Sequence, residues 1–107
     1  MGEQVLRSAV TSLQTGDFPV AAEQLERARR LKPWDSDIAL RLAYTQEQQG
    51  NLKAATDTLE TFLNKTPDRA AVVGYLSGLL AKQNQKERAQ VLAARYRVLT
   101  GETWDAK

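Results

Sequence analysis

Residues able to do chemistry are few in this sequence. The 107-residue chain contains no histidine and no cysteine. That removes the usual general base near neutral pH, the thiol nucleophile and most transition-metal ligands. It also removes any disulfide framework or thiolate metal site. Carboxylates remain, but they stand mostly among Gln, Arg and Lys in patterns expected of solvated helix faces. Glu23, Glu26, Arg27 and Arg30 are spaced for ordinary ion pairs along one helix, and such exposed pairs contribute little. Gly74 and Gly78 fall inside a predicted helix, and no glycine-rich phosphate loop occurs. The expectation is a protein that is not an enzyme and uses no cofactor and no metal.

Nucleic acid is excluded on similar grounds. Fifteen basic against 13 acidic residues leave a net charge of +2, too small an excess for an electrostatic footprint. The basic stretch Arg27, Arg29, Arg30, Lys32 is interrupted by acids and lacks aromatic stacking partners nearby, which describes a solvated face. Hydrophobic residues at 42% and charged residues at 26% mark a globular chain of single-domain size. No apolar run approaches the ~20 residues of a membrane helix, and the N-terminus lacks the apolar core of a signal peptide. Membrane insertion is not expected. The compartment stays open between the cytoplasm and a soluble fragment of an envelope-associated protein.

The elements carrying these residues are helices in a repeating series. Gly16 and Gly50, Ala21 and Ala55, Leu25 and Leu59, and Pro33 and Pro67 are each 34 residues apart. A fixed period in this range indicates stacked repeats. Helical spacing of Val5, Leu6, Ala9, Val10 and Leu13 predicts a first helix over 3–15. Gly16 is suited to end it and Asp17 to cap the next, over 18–31, with Pro19 in its first turn. Ala21, Ala22, Leu25, Ala28 and Leu31 form that helix's apolar side.

A third helix runs to Gln49, with Ile38, Ala39, Leu42 and Ala43 inward, and a fourth covers 52–64 with Ala55, Leu59, Phe62 and Leu63 inward. Asp68 is positioned to cap a fifth. Asn84 stands where a third turn glycine would fall, Ala89 follows Ala55 by 34, and Tyr96 follows Phe62 by 34. Six helices in three antiparallel hairpins result. The chain reads as one domain over 1–107, with repeats at about 2–35, 36–69 and 70–101 and a tail over 102–107.

This pattern resembles the tetratricopeptide repeat family. The features are a small residue late in the first helix (Ala9, Ala43, Ser77), Gly-Asp or Gly-Asn at the turn, an early second-helix alanine, a large apolar residue four later, and a closing proline. The family's early tryptophan is replaced by Val5, Ala39 and Val73. The resemblance implies an all-α solenoid, with hairpins stacked in a right-handed superhelix. It also implies that the first helix of each hairpin lines a concave groove, and that Arg27 to Lys32 lies on the convex side.

Carried over residue by residue, the groove comprises Leu6, Val10 and Leu13, then Leu40, Arg41, Tyr44 and Gln48, then Gly74, Tyr75, Gly78 and Lys82. The family's carboxylate clamp finds Leu6, Val10, Arg41, Ala71 and Tyr75 at its positions. One basic residue does not make that clamp. An apolar or amphipathic peptide suits the surface better, with Arg41 and Lys82 as polar anchors and an affinity of roughly −8 kcal/mol. Gly74 and Gly78 either let such a segment approach the backbone or permit tight helix packing.

The expected function is a non-catalytic protein-interaction module that binds a protein or peptide partner, as an assembly factor, chaperone or adaptor. One alternative is a self-associating scaffold, a homodimer through Leu92, Tyr96, Leu99 and Trp104. Another is an accessory domain of a larger protein.

Overall fold

The computed structural model describes residues 16–101. The predicted first helix over 3–15 and the tail over 102–107 lie outside the described residues, and with them Leu6, Val10, Leu13 and Trp104. Five helices follow in order: α1 (Phe18–Leu31), α2 (Ser36–Gln48), α3 (Leu52–Lys65), α4 (Ala70–Lys82) and α5 (Lys86–Thr100). Each packs on the next, α1 on α2 through to α4 on α5, and α2 also reaches α4. No strand occurs among the described residues. The fold is an all-α helical repeat.

The turns follow from local chemistry. Gly50 has φ +79° and Asn84 has φ +61°, one repeat apart; this left-handed conformation suits glycine and, next best, asparagine. Asp17 caps α1 by accepting from the Val20 N–H at 3.4 Å, and Asn51 caps α3 by accepting from the Ala54 N–H at 3.1 Å. Asp35 caps α2 in the same way, accepting from the Asp37 N–H at 2.9 Å. The last hairpin keeps the left-handed turn but lacks side-chain caps on both of its helices. Arg69, not Asp68, occupies the N-cap of α4 and makes no side-chain capping bond, and Gln85 at the N-cap of α5 makes none either. Asp68 stands one residue too early to reach the orphan N–H groups of the first turn.

Burial keeps the 34-residue register. Ala21, Ala55 and Ala89 are all buried, as are Leu25 with Leu59, Ile38 with Val72, and Leu42 with Leu76. Leu25, Ala28, Ile38 and Leu42 form a small core between α1 and α2. A larger one joins α2 through α5, around Leu59, Phe62, Val73, Leu76 and Leu80. Burying each such leucine stabilises the fold by about 1.5–3 kcal/mol. The alanines let the helices approach closely enough for these contacts to form.

Leu31 departs from the predicted stripe. At the end of α1 it is half exposed, because the helix stops there and turns toward Pro33. Ser77 stands where the preceding hairpin has Ala43, and its buried hydroxyl donates to the Ala89 carbonyl at 2.9 Å, tying α4 to α5.

Helix α5 is the least covered element. Ala89 is its only buried residue. Leu92 and Tyr96 pack against the core but remain partly open. Val91 is 63% exposed, Val98 84% and Leu99 38%.

Candidate peptide groove

The groove assigned from sequence falls on α2 and α4. Periodicity puts Leu40, Arg41, Tyr44 and Gln48 on successive turns of α2, and the structure distributes them unequally. Tyr44 is 44% exposed. Gln48 is exposed and Arg41 half-buried. Leu40 is half-buried and packs against the larger core, so it serves the stack as well as the surface.

On α4, Gly74 is buried and Gly78 half-buried, while Tyr75 packs partly on the core. Gly74 therefore offers no open groove wall. Of its two readings, helix packing is the one that accords with burial.

Both predicted cationic anchors already hold carboxylates. Arg41 Nε donates to Asp37 Oδ2 at 2.9 Å, one turn back on α2. Lys82 donates to Glu47 across the two hairpins, and Tyr75 Oη donates to the same carboxylate at 2.5 Å. Glu47 thus joins α2 to α4 through two donors. Tyr75 and Lys82, which the sequence puts on one side of the helix, both reach Glu47, a residue that sequence reasoning does not single out. The pair spans hairpins, and its meeting depends on how the helices cross. The i,i+4 spacing of Asp37 and Arg41, by contrast, is visible in the sequence.

The electrostatics of this cluster are consistent at both ends. Burial pushes the Glu47 carboxyl up, but hydrogen bonds from Lys82 and Tyr75, with the Lys82 charge, outweigh it and leave the group below its usual range. Burial first, then the bond to the Glu47 carboxylate and its charge, push the Tyr75 phenol well above its usual value. A depressed carboxylate stabilises the fold above its unfolded pKa of 4.5, and that contribution is lost as pH falls. A raised phenol stabilises below its unfolded value of 10.0, and that contribution is lost as pH rises. Lys82 is 59% exposed, so solvent screens part of the effect. Thermal midpoints measured against pH are expected to fall on both sides of this window. In Glu47→Gln both limbs should flatten; limbs identical to wild type would show that the cluster contributes nothing.

A family model described as tetratricopeptide repeat matches residues 12–74, more than half the chain. The chain belongs to that family. Among solved structures, this tetratricopeptide repeat protein is similar to the Yersinia enterocolitica type III secretion chaperone SycD in complex with a peptide of the translocator YopD. That match has 16% identity and a TM-score of 0.83, covering 94% of this chain and 76% of that one. It is similar to MamA at 16% identity and TM-score 0.82, covering 94% of this chain and 58% of that one. A tetratricopeptide repeat protein from Parabacteroides merdae matches at 19% identity and TM-score 0.85, over 94% of this chain and 41% of that one. Identities this low establish the shared fold alone. No curated protein matches the sequence. No helix among the described residues is long and apolar enough to cross a membrane.

Proposed function

We propose that this tetratricopeptide repeat protein is a non-catalytic interaction module that binds an apolar or amphipathic segment of a protein partner, with α2 and α4 lining the site. The observation that carries this reading is Tyr44, a large aromatic 44% exposed on the first helix of its hairpin, beside the half-buried Leu40 and Arg41. Aromatics with an apolar body and a polar tip are suited to anchoring a partner. Tyr75 and Lys82 frame the far side but are held by Glu47, so the ligand's affinity rests on apolar contact more than on charge. The reading treats 1–107 as one domain of three repeats. Chaperone, adaptor or assembly work is the role we assign; SycD, which shares the fold, is a chaperone seen with a peptide.

A second reading has its own observation. Val91 and Val98 are more exposed than Tyr44, and with Leu99 they place apolar side chains on the outer surface of α5, suited to a second copy of the chain.

One experiment separates the two. Peptides selected from a displayed library on the immobilised protein are expected to be apolar or amphipathic. They should bind Tyr44→Asp at least tenfold more weakly, about 1.4 kcal/mol, with helical circular dichroism unchanged. Peptides that bind Tyr44→Asp as well as wild type, with a mass that grows with protein concentration, transfer the function to α5.

A further inference from the structure

The grooves between successive second helices differ in chemistry although the repeat makes them equivalent. Between α1 and α3 lies a cavity of about 150 Å³, lined by Arg29, Arg30, Lys65, Thr58, Thr61 and Phe62 among others. The next groove, between α3 and α5, is lined at the corresponding positions by Leu63, Asn64 and Leu92, each 34 residues after Arg29, Arg30 and Thr58. Leu63 is 8% exposed and packs in the larger core. The fold therefore accepts an apolar residue at this position. A guanidinium at position 29 is not a requirement of the repeat.

Arg29 carries a cost where it stands. Its Nη2 donates to Glu26 Oε2 at 2.8 Å, but its Nε is buried with no hydrogen-bond partner. Buried donors are rarely left unpaired, and an ion or ligand is one established reason for an exception. Arg30 and Lys65 line the same cavity and have no ion-pair partner among the described residues. The helix ends account for part of this. Arg29 and Arg30 lie in the last turn of α1 and Lys65 in the last turn of α3, where carbonyl ends favour cations. They do not account for a buried, unpaired Nε on a side chain that stands where the equivalent groove has a leucine. In the α3–α5 groove, Arg88 is bonded to Glu60.

We propose that the α1–α3 cavity binds a phosphate group, with Arg29, Arg30 and Lys65 supplying charge and Thr61 a hydroxyl. The volume holds a polyatomic oxyanion with accompanying water, and planar guanidinium donors match phosphate oxygens. The site lies on the second helices of the hairpins, away from Tyr44, and is independent of the peptide groove.

Amide shifts followed by NMR during titration with sodium phosphate, at ionic strength held constant with sodium chloride, test this. Saturable shifts are expected at Arg29, Arg30, Thr61 and Lys65, with binding at least tenfold weaker in Arg29→Leu. Arg29→Leu is also expected to keep or raise the thermal midpoint, since it restores the apolar residue of the equivalent groove. Arg30→Gln/Lys65→Gln, at exposed positions, repeats the binding test without touching a buried group. Shifts that do not saturate, that chloride reproduces, or that both variants keep overturn the site.

A parallel arm uses phosphatidylcholine vesicles with and without phosphatidic acid. Retention specific to phosphatidic acid and lost in the variants identifies a lipid phosphate. Saturable inorganic phosphate binding without retention identifies a soluble phosphate or phosphate ester. Retention that the variants keep counts against the site.

Discussion

Leu59→Ala is expected to destabilise the protein by about 2–5 kcal/mol, the range for truncating a fully buried leucine. Leu59 is 0% exposed and sits in the core shared by α2 through α5. A hairpin in a stacked repeat cannot bury its apolar face alone, so each depends on its neighbours. Leu59 belongs to the α2–α3 hairpin and shares its core with α4 and α5, so a cavity there weakens the contact between successive hairpins. The loss is a large part of the ~5–15 kcal/mol by which a domain of this size is stable. Urea denaturation followed by far-ultraviolet circular dichroism measures it. A cost below about 1 kcal/mol would mean that neighbouring helices collapse into the space, a plasticity this packing does not suggest.

Arg69→Asp with Gln85→Asn is expected to act in the opposite direction. The two positions are the N-caps of α4 and α5, and neither side chain makes a capping bond. One repeat earlier, Asp35 and Asn51 supply those bonds at 2.9 and 3.1 Å. Copying them forward should add about 1 kcal/mol at each site. The helix starts are separate and share no partner, so the gains should sum to about 2 kcal/mol. A urea midpoint unchanged in the double variant would mean that the first-turn N–H groups of these helices are already satisfied by water.

These two variants also mark where the sequence can be read and where it cannot. The repeat is legible because its markers are enforced by packing and by backbone geometry. Ala21, Ala55 and Ala89 are buried; Gly50 and Asn84 share a left-handed turn. The helix predicted over 18–31 coincides with α1, and the C-terminal ends of the next two agree to within a residue.

Capping is less legible, because it depends on an offset of one residue: Asp68 has the right chemistry and the wrong place. The site is less legible again. A helical wheel assigns Leu40 to a surface, yet the crossing of the neighbouring helices half-buries it. Glu47 meets Tyr75 and Lys82 across a hairpin boundary, a contact no local spacing encodes. Arg29 reads as part of a solvated basic face until it is aligned with Leu63 one repeat later. That comparison needs only the sequence, and it distinguishes the residue from Arg27, which is exposed and paired with Glu23.

The carboxylate of Glu47 bears on more than stability. By accepting from both Tyr75 and Lys82 it ties the first helices of two consecutive hairpins together, which restrains them from sliding or splaying relative to each other. Association is weakened by every degree of freedom that a receptor must surrender on binding. A wall already held at its working spacing surrenders few, and an incoming segment then bears mainly the entropy of its own ordering.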